Sequence, residues 1–311
     1  MDRGRLTTGY LLAFAGAALF ASKAIFIKLA YVERPDPLLV LVWRMIFSLP
    51  FFAAIGVYVL VRDRRHGRPW PRPGIILRTL MIGFIGYYAA MILDFEGLLY
   101  VTAQLERLAL FTYPIFLLFI GAGFFGIRLT PGHLAAAAIS YTGLAFVFLA
   151  DFKGGGSNVP LGTTLVLGSA IAFALYQLLA KDMISALGSV LFTCLALSGA
   201  AITSLAHVLI LRGGIDYSVS ANYLRLAAAT GIVATVIPSF FVNAGMARIG
   251  PQSTAMISTL SPLLTIILAV LVLHERFALI DGFGTALVVG GVGYHTWLDL
   301  RKNPAQVVES S

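Results

Sequence analysis

Ten long apolar segments, separated by short polar breaks, constrain the fold of this chain more than any other feature. About 20 apolar residues cross a membrane as a helix, and no segment alternates in the manner of a membrane β-barrel. With 59% hydrophobic and 12% charged residues, the chain has more apolar surface than a soluble domain can bury. We predict an all-α integral membrane protein, with spans near residues 8–30, 37–61, 75–99, 103–126, 132–150, 161–182, 186–211, 222–246, 251–273 and 278–298.

The net charge of +8 is concentrated on one predicted side of the membrane. Ten spans place the two termini on the same side as the loop that contains Arg62, Arg64, Arg65, Arg68 and Arg72. Basic loops mark the cytoplasmic side, so we expect both termini to be cytoplasmic. Because topology accounts for these charges, we expect no nucleic-acid partner. The first apolar run is too long for a signal peptide, and we expect residues 1–24 to be retained.

The chain also repeats itself at an offset of 148 positions. Span 1 pairs with span 6, so that each copy has five spans, and an odd number inverts the second copy relative to the first. We predict a first repeat at 1–152, a linker at 153–160, a second repeat at 161–300 and a cytoplasmic tail at 301–311. The matched positions include Gln104 with Gln252, Pro114 with Pro262, Arg128 with Arg276, and Gly143 with Gly291.

Inverted repeats are the usual construction of secondary transporters, whose substrate site lies near the midplane between the two halves. The sequence has no phosphate-binding loop, and its five histidines are scattered without a metal-binding spacing. We therefore expect transport without ATP, no enzymatic activity, no catalytic residue, no metal and no cofactor.

The two five-helix copies and the ending PLLTIILAVLVLHERFALIDGFGTALVVGGVGY resemble the EamA-type members of the drug/metabolite transporter superfamily. Within it, the chain is most similar to YddG-type exporters of aromatic and other amino acids. The resemblance implies a ten-helix basket in the bacterial inner membrane, with a central cavity lined by spans 1, 3, 4, 6, 8 and 9. One position departs from the family pattern, because Ile127 stands where the second copy has Glu275.

Several ionisable residues lie inside the predicted spans of the first repeat, where a charge is costly and indicates function. Three are cations and three are anions, so we predict an outer gate of ion pairs that break when the cavity opens outward. The alternative is that they reach the interface or hold the helices together statically. The six residues are Lys23, Arg44, Asp94, Glu96, Glu106 and Arg107.

The predicted cavity combines aromatic faces with a few hydroxyl and amide groups, which suits an amphipathic solute. Prolines within spans leave backbone carbonyls free and can kink a helix, so we predict hinges at Pro114, Pro238 and Pro262. In the tenth predicted span, small residues at Gly282, Ala286 and Gly290 predict close helix packing. The predicted cavity residues are Phe20, Tyr113, Tyr176, Gln177, Ser239, Phe240, Asn243, Ser258 and Ser261.

These features together predict a monomeric carrier, with a homodimer as the alternative, that exports amino acids or related small metabolites by alternating access. We favour facilitated diffusion over proton antiport, because no acidic residue lies near the middle of a span in the second repeat. A multidrug or nucleotide-metabolite carrier of the same fold stays open at this point. So does a membrane protein of another class, a lipid-modifying enzyme or a receptor.

Overall fold

A computed structural model of the chain describes residues 3–67, 69–124, 126, 129–154 and 158–302. All regular secondary structure in these ranges is helical. The first half contains α1 (Arg3–Ala21), α2 (Lys23–Glu33), α3 (Pro37–Arg65), α4 (Pro73–Gly83), a π-helical segment (Phe84–Ala89), α5 (Ala90–Gly97), α6 (Ala103–Phe111), α7 (Tyr113–Phe124) and α8 (Pro131–Lys153). The second half contains α9 (Val159–Leu187), α10 (Ser189–Arg212), α11 (Ala221–Gly231), a π-helical segment (Ile232–Val236), α12 (Ile237–Ser258), α13 (Ser261–Val272) and α14 (Leu279–Lys302).

Local sequence signals explain where the helices begin and end. The carboxylate of Asp36 accepts a hydrogen bond from the Leu39 amide, and Pro37 occupies the first turn of α3, where no amide proton is needed. Gly188, between α9 and α10, has φ of 77°, a conformation that costs little only for glycine. Gly213 ends α10 in the same way, with φ of 70°.

Eight helical stretches in the described residues are long and apolar enough to cross a membrane. The ten predicted segments are all helical, but two of them do not meet that standard. The ninth is interrupted, so that its apolar part, Ser261–Val272, has only 12 residues. The tenth, α14, is 24 residues long, and its glycines together with Asp281 and His295 lower its hydropathy. The chain is therefore a multi-pass membrane protein by the length and composition of its helices.

The duplication appears in the helix boundaries. A shift of 148 positions carries both ends of α4 onto those of α11, and both ends of α7 onto those of α13. The same shift carries the first residue of α8 onto that of α14, and the start of one π-helical segment onto that of the other. The predicted linker includes residues 155–157, and the predicted tail includes 303–311, both outside the described residues. The exact limits of the linker and of the tail therefore stay predictions.

The equivalent helices α8 and α14 of the two copies pack against each other in opposite directions. Along the contact between α8 and α14, Gly132 faces Leu298, whereas Gly143 faces Gly284. A methyl group on Gly143 would lie 2.5 Å from the Gly284 carbonyl oxygen, so the two backbones touch. The close approach in α14 thus uses Gly284 and not the predicted stripe, since a methyl group on Gly290 would meet no described atom within 4 Å.

Candidate functional site

Three helical spans are interrupted near the centre of the molecule. The first breaks at Ser22, between α1 and α2, and the fourth at Thr112, between α6 and α7. Both hydroxyl groups donate to a carbonyl oxygen three residues earlier, Ser22 Oγ to Leu19 O and Thr112 Oγ1 to Ala109 O, each at 2.7 Å. The ninth span breaks before α13. Irregular backbone within a membrane is tolerated where it lines a cavity or is buried in protein.

The prolines predicted as hinges lie next to irregular backbone. Pro114 and Pro262 are each the second residue of the helix that follows a break, in α7 and α13. Pro238 follows the second π-helical segment, where Thr235 Oγ1 donates to Thr230 O at 2.7 Å, five residues earlier. π-helical turns commonly mark functional positions. That these three prolines act as hinges stays a prediction.

A cavity of about 320 Å³ lies where these irregular segments meet. Every span that the family resemblance implied contributes to its wall, and Arg44 of α3 and Leu197 of α10 add to it. The wall is mainly apolar and aromatic, with hydroxyl and charged groups between. Its residues are Ala17, Phe20, Lys23, Arg44, Gly86, Tyr87, Ala90, Met91, Asp94, Arg107, Leu110, Phe111, Tyr113, Ser169, Phe173, Leu197, Ala234, Thr235, Ser239, Ser258 and Ser261.

The structure brings five of the nine predicted cavity residues to this wall. They are Phe20, Tyr113, Ser239, Ser258 and Ser261. The other four, Tyr176, Gln177, Phe240 and Asn243, do not line it.

One of these four residues, Tyr176, supports aromatic residues of the wall from behind. The Tyr176 hydroxyl donates to the Tyr87 hydroxyl at 3.1 Å, and its ring stacks on Phe173. Phe240 packs instead against Phe52. Sequence reasoning missed Tyr87 and Phe173 as wall residues, although Phe173 lies one helical turn before Gln177, on the same face of α9.

Lys23, Asp94 and Glu106 form a buried ionic group, which we call the Lys23 cluster. Lys23 Nζ donates to Asp94 Oδ2 at 2.5 Å and to Glu106 Oε1 at 3.1 Å. The three side chains are 13%, 3% and 0% exposed. The contacts join the helices of spans 1, 3 and 4, because Lys23 begins α2, whereas the two acids lie in α5 and α6.

The remaining residues of the predicted outer gate are not part of this cluster. Arg44 Nε donates to Thr235 Oγ1 at 3.1 Å, and its guanidinium lies 5.4 Å from the centre of the Phe95 ring. Arg107 donates to Ser261 Oγ. Both partners are neutral. Glu96 does not line the cavity, and the nearby charges that act on it are Asp36 and Arg212. The predicted set of six mutually neutralising charges is therefore reduced to one cluster of three.

Glu275 has a structural role that sequence reasoning did not identify. Its Oε1 accepts a hydrogen bond from the Ala103 amide at 2.8 Å, at the first turn of α6, so a carboxylate of the second copy caps a helix of the first. The Gln104 side chain returns a bond to Arg276 O at 3.1 Å. Ile127 and Arg128, the equivalent positions of the first copy, lie outside the described residues.

A second group of ion pairs lies at the end of the molecule where α2, α3, α10 and α11 meet. Arg34 and Asp216 are 2.6 Å apart, and Arg212 and Asp36 are 2.5 Å apart. Asp216 lies in the loop between two apolar spans and is partly exposed. Hydrogen bonds from Ser218, and then from Arg34, lower the pKa of the Asp216 carboxyl to about 2.

Comparison with known proteins places this architecture among transporters. The model of the EamA-like transporter family matches the chain twice, over residues 7–149 and 160–296. The uncharacterized transporter YcbK of Bacillus subtilis is 29% identical over 302 residues, which cover 92% of this chain and 93% of that protein. The uncharacterized transporter YcxC of the same organism is 23% identical over 310 residues, covering 94% of each chain.

A third relative and a solved structure agree with this result. The uncharacterized transporter sll1319 of Synechocystis is 24% identical over 265 residues, which cover 80% of this chain and 76% of that protein. One solved structure, described only as a crystal structure of a protein, is similar with a TM-score of 0.57 and 22% identity. It covers 95% of this chain and 98% of its own, and the likeness concerns the fold alone.

Proposed function

This chain belongs to the EamA-like transporter family, and on that premise we propose that it exports amino acids, aromatic ones included, or related small amphipathic metabolites. In this proposal all ten helical segments cross the bacterial inner membrane in two inverted copies, and both termini face the cytoplasm. Transport proceeds by alternating access and without ATP. The named relatives support the general class of transporter, whereas the substrate class is argued from the cavity.

The observation that carries the proposal is the position of the cavity between interrupted helices of both copies. Its volume of about 320 Å³ lies at the lower end of the range of ligand pockets, about 300–1,000 Å³. Phe20, Tyr113 and Phe173 supply aromatic faces, and Ser258 and Ser261 supply hydroxyl groups. This combination suits a solute with an apolar side chain and a polar or charged end.

Contacts between the two copies suggest how access alternates. Arg107 of α6 donates to Ser261 of α13 beside the break in the ninth span. One turn further along the same face of α13, Thr265 Oγ1 donates to Ala21 O at 3.0 Å, where α1 ends. Separation of the copies requires breaking such contacts, and we propose Pro114, Pro238 and Pro262 as the points about which the broken helices bend.

Counterflow into proteoliposomes tests the proposed function. Vesicles containing the purified protein are loaded with an unlabelled solute, and uptake of the labelled solute is compared with that of protein-free vesicles. The panel contains tryptophan, phenylalanine, leucine, a nucleoside and a hydrophobic cation. Protein-dependent counterflow of amino acids is expected. Counterflow of the nucleoside or the cation alone would contradict the proposed substrate class, and no counterflow at all would contradict the carrier mechanism.

Repeating the counterflow experiment with an imposed pH gradient tests energy coupling. Facilitated diffusion predicts the same final accumulation of amino acid with and without the gradient. Accumulation above the equilibrium level that depends on the gradient would show proton coupling instead.

A further inference from the structure

The charged groups at the cavity do not balance one another. Three cations, Lys23, Arg44 and Arg107, lie on the wall, together with one acid, Asp94. Glu106 lies behind the wall, in contact with Lys23. If all five are ionised, their charges sum to +1.

The acids are both engaged by the same cation. Asp94 and Glu106 each contact Lys23 Nζ, so the Lys23 cluster alone has a charge of −1. In the part of the chain that the structure describes, neither arginine of the wall lies within 4.0 Å of a carboxylate. The excess positive charge therefore resides on the arginines, and a guanidinium stays protonated at any physiological pH.

The two arginines differ in how far their hydrogen bonds are satisfied. Arg44 donates to Thr235 and to the sulfur of Met91, and its guanidinium also faces the Phe95 ring. Arg107 donates to Ser261 Oγ, whereas its Nε is buried with no acceptor in the described structure. A guanidinium offers five donors in a fork that matches the two oxygens of a carboxylate. Arg107 is thus the cation of the wall that is least satisfied by the protein.

We infer, on the basis of the proposed transport function, that Arg107 binds the carboxylate of the substrate and that the cavity therefore selects solutes by their anionic end. An anion at Arg107 balances the excess charge and offers acceptors to a guanidinium that lines the cavity. A substrate ammonium group is less well provided for among the described residues, since the charged groups at the cavity sum to a positive charge and both nearby acids already bind Lys23.

The apolar part of the substrate has a defined direction in this arrangement. Arg107 is in α6, and the next helix, α7, brings Tyr113 to the wall. The Tyr113 ring is edge-on to Phe173 of α9, with ring centres 5.0 Å apart. A solute whose carboxylate lies at Arg107 can place its side chain against these rings. The cavity then accepts carboxylates with apolar side chains whether or not they carry an amino group.

Matched analogues of one side chain test the inference on the unmodified protein. Tryptophan has both charged groups, tryptamine lacks the carboxylate, and indole-3-propionate lacks the ammonium. Leucine, isoamylamine and 4-methylpentanoate form a second series. Binding is measured from the rise in thermal unfolding temperature with ligand concentration, because a ligand of the folded state stabilises it by mass action.

The expected result is that the amino acid and the deaminated acid of a series stabilise the protein, whereas the amine binds at least about tenfold more weakly, since it lacks the charge-assisted hydrogen bonds to Arg107. Equal or tighter binding of the amine overturns the inference. So does a lack of binding by both acids in both series. Counterflow of amino acids combined with either result would leave the proposed function standing, whereas absence of all counterflow would remove the function itself.

Variants assign the effect to Arg107. Arg107→Gln is expected to weaken binding of indole-3-propionate by at least about tenfold while leaving tryptamine unchanged. Arg107→Lys keeps the charge without the fork and is expected to retain preference for the acid at reduced affinity. Arg78→Gln removes an exposed arginine away from the cavity and serves as the matched control. Retention of full acid binding by Arg107→Gln contradicts the assignment.

Discussion

The two copies share most of their backbone pattern but not the chemistry of their cavity faces. Equivalent segments turn π-helical, and the fourth and ninth spans break, at the same offset along the chain, whereas the break of the first span at Ser22 has no counterpart in the continuous α9. The side chains at these places differ, because Glu106 and Arg107 of the first copy correspond to Thr254 and Ala255 of the second. Span 1 aligns with span 6 at an offset of 153 positions, so that Lys23 corresponds to Tyr176, which is joined to Tyr87 by one hydroxyl contact.

This difference teaches that the symmetry of an inverted repeat can reside in backbone geometry alone. The breaks create a cavity between the copies, and the charged residues then distinguish one side of it from the other. In the proposed alternating-access cycle, opening past the first copy would disturb buried ionic contacts, whereas opening past the second would disturb aromatic and hydroxyl contacts. The two gates are therefore expected to differ in energy.

The largest predicted effect comes from removing the cation of the Lys23 cluster. Lys23→Met leaves two buried carboxylates next to each other without a counter-ion, and losing one partner of a buried ionic group costs about 3–5 kcal/mol. Tyr176→Phe, at the equivalent position, loses one neutral hydrogen bond, worth about 1 kcal/mol. We expect a much lower apparent unfolding temperature in detergent for Lys23→Met than for Tyr176→Phe.

A combined variant separates charge from shape in this prediction. Lys23→Met together with Asp94→Asn and Glu106→Gln contains no buried charge in the cluster and is expected to recover much of the lost stability. If Lys23→Met and Tyr176→Phe lower the unfolding temperature equally, the proposed difference between the copies is wrong.

The architecture was accessible from the sequence because it depends on periodic and repeated signals. Long apolar runs gave the helices, and the pairing of Pro114 with Pro262 gave the offset that the helix boundaries follow. The same prolines also indicate where the helices break, since each follows a break by one or two residues. Proline lacks an amide proton and disrupts a continuous helix, so its position in the sequence indicates where a helix can break.

Side-chain partners were harder to predict because they depend on helix rotation and on contacts between distant segments. Glu96 and Asp94 are two residues apart, so a helix directs them to different faces, and only Asp94 reaches the cavity. Tyr176 and Gln177 are adjacent to the cavity face of α9 without lining it. The link from Glu275 to α6 joins residues 172 positions apart, and no local pattern indicates it.

The cap that the second copy provides to the first is predicted to have an intermediate effect. Glu275→Ala removes the acceptor of the Ala103 amide, and loss of a helix cap costs about 1 kcal/mol. Glu275→Gln retains an acceptor oxygen without the charge and is expected to cost less. Hydrogen exchange at the first turn of α6 measures the effect directly. Unchanged protection of this turn in Glu275→Ala would show that the cap contributes nothing to α6.

The smallest predicted effect concerns the ion pair of Arg34 and Asp216. It joins a cation and a carboxylate, as the Lys23 cluster does, but it is in contact with water, where screening weakens it. Asp216→Asn removes the partner of Arg34 and the acceptor of Ser218. Because hydrogen bonds from Ser218 and Arg34 lower the pKa of the folded Asp216 carboxyl to about 2, its contribution to stability is complete above the unfolded pKa of about 4. That contribution is lost as the pH falls toward 2. We expect the unfolding temperatures of the wild type and Asp216→Asn to differ slightly at pH 6 and to converge as the pH falls through about 2, with a smaller difference at high salt. If Asp216→Asn lowers the unfolding temperature at pH 6 as much as Lys23→Met does, then charge alone, and not burial, accounts for the energetic effect of the Lys23 cluster.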